Sequence, residues 1–106
     1  MEYEILELSR LPWMQFELKG HFPQLAGVYV CADNWSVIYV GRTKNLRQRF
    51  YQHHKIADMV ELGITKVHFR FVLDNDVREL SRLEKLFIDA FEPPLNRIAR
   101  SKRRKW

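Results

Sequence analysis

The segment GVYVCADNWSVIYVGRTKNLRQRF, residues 27–50, constrains the fold more than any other part of the chain. Two β-branched runs, Gly27 to Cys31 and Val37 to Gly41, each surround a tyrosine, and a turn-forming stretch containing Asp33 and Asn34 separates them. Side chains alternate between faces along a strand. Val28 and Val30 therefore take one face and Tyr29 and Cys31 the other. In the second run Ile38 and Val40 take one face and Tyr39 the other. So short a connection implies an antiparallel hairpin. With matching register, both phenols stand on the same face.

Downstream, Asn45 is suited to cap a helix running to about Lys55. On it Leu46 and Phe50 are four apart and face the core, while Arg49 and His53, also four apart, share an adjoining face. A third strand from Lys66 to Leu73 alternates Val67, Phe69 and Phe71 with His68 and Arg70. A long helix from about Asp76 to Phe91 is stopped by Pro93 and Pro94. The first nineteen residues are ambiguous, fitting a strand followed by a short helix or loop around Leu11, Pro12 and Trp13. The expectation is a small α/β (α+β) domain: a three-stranded antiparallel sheet flanked by helices. Residues 1–96 form one domain with its core at 25–96, and 97–106 form a flexible tail.

A chain of 106 residues suits one domain. At this size roughly 65% of the unfolded surface can be buried, enough for a modest core without staples. The single cysteine, Cys31, precludes an internal disulfide and reads as a small buried hydrophobe in a reducing setting. The acidic, amphipathic start MEYEILELSR is unlike a signal peptide. No apolar run approaches the ~20 residues that span a bilayer. The expected location is cytoplasmic (with the nucleoid) or nuclear, and not secreted.

Charge narrows the partners. The net charge is +5, but RIARSKRRKW from Arg97 onward holds six Lys or Arg and no acid. The remaining twelve basic residues face thirteen acids, so the body sits near −1. Within the body, Asn34 to Ala57 carries five Lys or Arg and no acid. Two basic patches on one small domain point to a polyanion, most often nucleic acid. The plain alternative for the tail is a solvated end.

The last helix carries an anomaly. At ~100° per residue, Val77, Leu80, Phe87, Ile88 and Phe91 all fall within about 60° of Glu84. That places a carboxylate at the centre of an apolar stripe, which is costly unless it is paired or metal-bound. Pairing with a buried arginine, or a place at the sheet edge, would also accommodate it.

Together these pieces resemble the GIY-YIG nuclease family. GVY at Gly27 to Tyr29 and YVG at Tyr39 to Gly41 are similar to its paired motif, with Val28 and Val40 in place of isoleucines. The resemblance continues through Arg49, eight residues after Gly41, then His53 four further on, Glu84 on a later helix, and Asn96 in EPPLN. It covers about Leu25 to Asn96.

The resemblance implies cleavage of DNA phosphodiester bonds by an activated water, with one Mg²⁺ (or Mn²⁺) ion weakly bound before substrate arrives. Glu84 would be the sole protein ligand of that metal, and Arg49 would neutralise the developing phosphorane charge. Tyr29 would be the general base once nearby positive charge lowers its pKa from ~10, with His53 as rival. Tyr39 would hold the water or the metal shell, Asn96 would fix the site's inner groups, and Gly41 would let backbone approach a phosphate. Arg42, Lys44, Arg47, Arg100, Lys102, Arg103, Arg104 and Lys105 are the further nucleic-acid contacts expected.

Each residue also has an ordinary reading. The tyrosines fit as strand aromatics, the cations and His53 as surface groups, and Asn96 as a turn residue. Four scattered histidines and one cysteine lack zinc spacing. Two functions stay open: a metal-dependent endonuclease, or a nucleic-acid-binding module of a repair or recombination assembly with little intrinsic cleavage. The expected partner is DNA, with RNA left open and no membrane. With no second recognition domain in the sequence, target choice is expected to come from the domain itself, the tail, or another protein, a homodimer or a partner.

Overall fold

The computed structural model describes residues 8–34, 36–52 and 56–96. Strands β1 (Trp13–Gln15), β2 (Gly27–Asp33), β3 (Ser36–Thr43) and β4 (Lys66–Phe71) form one sheet in the order β1-β4-β2-β3. Every pairing is antiparallel. Helices α1 (Leu46–Gln52), α2 (Ile56–Glu61) and α3 (Val77–Phe91) pack around it. The sheet therefore has four strands where three were expected. The extra strand, β1, is only three residues long and is set by pairing Trp13 with His68 and Gln15 with Lys66. A 3₁₀ segment, Phe16–His21, follows it.

The β2–β3 hairpin runs in simple register from Gly27 opposite Thr43 to Cys31 opposite Tyr39. Ala32 then opposes Val37, so Ile38 is the extra residue of a bulge. This corrects the expected facing. Val37 packs with the valines and Ile38 with the tyrosines, because one inserted residue exchanges the faces beyond it.

Two cores result, one on each face. The tyrosine face buries Phe16, Phe22, Tyr29, Cys31, Tyr39, Leu46, Phe50, Val67 and Phe69. Phe22 meets Phe50 and Phe69 edge-on, each at 5.1 Å between ring centres. Each of these fully buried rings contributes ~1.5–3 kcal/mol, so the aromatic stack is the principal anchor of α1. The valine face buries Val28, Val30 and Val40 against Leu80, Leu83 and Phe87 of α3. His68 is wholly buried on this same face, tilted beside Trp13 at 6.4 Å, and burial pushes its pKa down.

Helix ends follow local chemistry. The Asn45 side chain accepts from the Gln48 amide at 3.0 Å, as a cap should. The amides of Leu46 and Arg47 donate to the carbonyls of Leu25 and Pro23, which ties the start of α1 to the chain entering β2. Asp76 caps α3 by accepting from the Arg78 and Glu79 amides. Glu92 closes α3 in the left-handed region ahead of Pro93. Among the described residues no helix is long and apolar enough to cross a membrane.

Candidate active site

The hairpin register places Tyr29 opposite Gly41 and Tyr39 opposite Cys31, so both phenols share the face covered by α1. Their ring centres are 6.1 Å apart. Phe50 meets Tyr29 edge-on at 4.9 Å and fixes its ring. Tyr29 is 1% exposed and Tyr39 6%. Burial, reinforced by the neighbouring Tyr39 and Cys31, holds the Tyr29 hydroxyl well above a phenol's usual pKa, although the Arg49 charge pulls the other way. Burial, then the Glu84 charge, pushes Tyr39 up to about 12, against the lowering effect of Arg49 and of a hydrogen bond from Tyr29. The positive charge expected to acidify Tyr29 is thus present but outweighed by burial.

Glu84 comes from α3 at the edge of β3. Its side chain is 26% exposed, and Arg42 Nε lies 3.6 Å from its Oε1. Arg42 also donates through Nη1 to the Ser81 hydroxyl one turn earlier on α3. Burial raises the Glu84 pKa, while Arg42 and then Arg49 act to lower it. Glu84 is not at the centre of the buried stripe. Leu80, Leu83 and Phe87 form that stripe and Val77 is exposed, which leaves Glu84 on its flank. Arg49 projects from the exposed side of α1, yet its charge acts on Tyr29, Tyr39 and Glu84 alike. Four separate elements, β2, β3, α1 and α3, therefore bring two phenols, a guanidinium and a carboxylate into one electrostatic neighbourhood.

Asn96 is buried, and both ends of its amide are engaged. Oδ1 accepts from the Val40 amide at 2.7 Å and Nδ2 donates to the Val40 carbonyl at 2.8 Å. Val40 lies between Tyr39 and Gly41 on an edge strand, where its outward backbone groups have no strand partner. Asn96 completes that ladder and so holds the backbone carrying Tyr39. Replacing it by alanine leaves a buried donor and acceptor unsatisfied. Asn96→Ala is expected to cost ~2–4 kcal/mol, read by denaturant unfolding. A loss under ~0.5 kcal/mol would show that water replaces the amide.

Packing gives Gly41 a reason to lack a side chain, in addition to the phosphate approach expected of it. It is buried, and an added Cβ would enter the space of the Tyr29 ring, meeting Cζ and Oη as well as Cε1 at 2.9 Å. Arg47, expected as a nucleic-acid contact, is also a structural tie: its Nε donates to the Phe22 carbonyl at 2.8 Å and links α1 to the preceding loop. Lys44 is exposed at the end of β3. His53, Arg100, Lys102, Arg103, Arg104 and Lys105 lie outside the described residues. Sequence reasoning missed Ser81, since nothing marks that serine as the partner of a strand arginine.

Among the described residues no group of three or more His, Cys, Asp or Glu could enclose a metal. A lone, partly exposed carboxylate at the edge of a sheet fits a cation that keeps most of its waters, as magnesium does.

Comparison with known proteins agrees with the fold. The family model for the GIY-YIG catalytic domain matches residues 25–98. A point mutant of the GIY-YIG N-terminal endonuclease domain of UvrC from Thermotoga maritima, bound to its catalytic divalent cation, is 25% identical. Its match covers 74% of this chain and 89% of that one, with a TM-score of 0.62. The same domain bound to magnesium is 24% identical, with 74% and 90% covered and a TM-score of 0.62. No curated protein matches the chain.

Proposed function

The chain belongs to the GIY-YIG family of nuclease domains, and from that premise we propose that it is a divalent-metal-dependent endonuclease hydrolysing DNA phosphodiester bonds by attack of water. The observation that carries this reading is the meeting of Tyr29, Tyr39, Arg49 and Glu84 in mutual electrostatic range. The UvrC domain's catalytic cation supports the metal requirement by analogy.

Glu84 is the residue that would hold the ion. When bound there, hydrated Mg²⁺ or Mn²⁺ would polarise the phosphate and acidify nearby protons. Arg49 sits on the exposed side, where it neutralises charge building on the phosphate oxygens. Tyr29 enters as a neutral phenol that orients the water. Its proton leaves only when more positive charge gathers than Arg49 alone supplies. His53, four residues beyond Arg49, is the alternative proton acceptor. Tyr39, on a strand that Asn96 holds fixed, would hold the water or the hydration shell of a bound ion. Arg42 and Lys44 line the same end of β3 for phosphate contact.

The deciding experiment is nicking of supercoiled plasmid with Mg²⁺ or Mn²⁺ against an EDTA lane. Metal-dependent nicking is expected. Arg49→Ala should slow it by about 10²–10³ without unfolding the protein. If the folded protein binds DNA in a salt-sensitive way but never nicks it, the reading falls to a binding module.

Residues 97–106 add sequence-independent affinity in this proposal, with residues 1–96 as the nuclease domain. If all six basic residues of the tail touch phosphates, truncation after residue 96 reduces the log–log salt slope of DNA binding by up to about 5. An unchanged slope removes the tail from the interface.

A further inference from the structure

We propose that Arg42 is the resident counter-ion of Glu84, which a divalent cation has to displace, and that Ser81 holds Arg42 in that post. The inference rests on the reading of Glu84 as the metal ligand. Arg42 stands opposite Val28 in the hairpin, so its side chain leaves β3 on the face that α3 covers. There it reaches two residues three apart on one helix face, through Nη1 to the Ser81 hydroxyl and through Nε, at 3.6 Å, to the Glu84 carboxylate.

The geometry is that of a competitor rather than a structural lock. The Arg42 side chain is 44% exposed, and a single long contact between such groups contributes little to folding. A dication at the same carboxylate meets a guanidinium a few ångströms away and must either repel it or replace it. Ser81 resists that replacement because it holds the other arm of the guanidinium fork. Once displaced, Arg42 is free to take a phosphate, which its planar fork matches with two parallel hydrogen bonds. Substrate phosphate therefore draws Arg42 off Glu84 and favours the ion, and by linkage the ion favours the phosphate. Arg42 is in this sense a positioning residue, acting on the metal through Glu84.

The test is calorimetric titration of Mn²⁺ into DNA-free protein, with a short oligothymidylate added in a second series. Arg42→Gln is expected to bind Mn²⁺ about 3–5-fold more tightly than wild type, and Ser81→Ala about 2-fold more tightly. A mere prop for Glu84 would give the opposite sign. The oligonucleotide should tighten Mn²⁺ binding more in wild type than in Arg42→Gln. Unchanged or weaker Mn²⁺ binding in Arg42→Gln overturns the inference, as do equal oligonucleotide effects. Ser81→Ala removes only a hydroxyl, so it decides the matter by the same signs if Arg42→Gln fails to fold. Glu84→Gln separates the premises. If it binds Mn²⁺ as wild type does, the metal-ligand reading fails and takes this inference with it. If it loses binding while Arg42→Gln matches wild type, the counter-ion inference alone fails.

Discussion

Glu84→Gln is expected to lose metal-dependent cleavage by about 10³ or more while becoming no less stable at pH 8. The activity loss follows from removing the only carboxylate that the described site offers to a cation. The stability result follows from the direction of its pKa. Burial raises the Glu84 carboxyl above 4.5 in the folded protein, and Arg42 and Arg49 offset only part of that. The folded state therefore holds this proton more tightly than the unfolded chain does. Stability contributed by the protonated group is present at low pH and declines as pH rises from 4.5 through the raised value. At pH 8 the ionised carboxylate is a net cost, and glutamine removes it. Thermal unfolding should show the variant's midpoint at or above wild type at pH 8, with the difference vanishing near pH 4. Added Mg²⁺ should narrow the gap by stabilising wild type alone. A variant clearly less stable at pH 8 would mean that Arg42 pairing outweighs burial. Retained metal-dependent cleavage within tenfold of wild type would remove Glu84 from the metal site.

The sequence carried the tyrosine pair plainly, because two β-branched runs joined by a short turn favour a hairpin with Tyr29 and Tyr39 on one face. It carried Glu84 only in part. Periodicity weighs every apolar residue on a helix equally, so Val77 counted towards the stripe although it is 54% exposed, and Leu83 fell outside although it is 1% exposed. Which residues are buried depends on where α3 crosses the sheet, and that is a tertiary fact. The strand β1 left no periodic trace because its three residues owe their conformation to β4, a partner distant in sequence. The bulge at Ile38 was equally silent, since the hydrophobic pattern is the same with and without it. Arg47 was expected only as a nucleic-acid contact because no sequence rule reveals the Phe22 carbonyl that it also reaches.

Gly41→Ala should cost about 2–3 kcal/mol, lowering the unfolding midpoint by roughly 10–20 °C. Gly41 pairs with Tyr29 across the hairpin, and the phenol ring lies over it where any Cβ would stand. The ring cannot swing aside. Phe50 closes one side at 4.9 Å, Tyr39 stands 6.1 Å away, and Tyr29 has almost no exposed surface through which to escape. The collision must therefore be relieved by separating β2 from β3 or by forcing the ring off its rotamer. Either displaces the phenol from Arg49 and Glu84, so the folded fraction should cleave poorly as well. Phenylalanine at 29 would not relieve the contact, because Cζ itself occupies the space. The double variant Gly41→Ala/Tyr29→Leu should be little less stable than Tyr29→Leu alone, and should have no activity. A glycine needed only for close approach of a phosphate predicts otherwise: Gly41→Ala would unfold like wild type and bind DNA more weakly. A midpoint within ~2 °C of wild type would decide for the phosphate. A large drop, with the alanine costing little once position 29 is leucine, would mean that Gly41 makes room for the phenol ring.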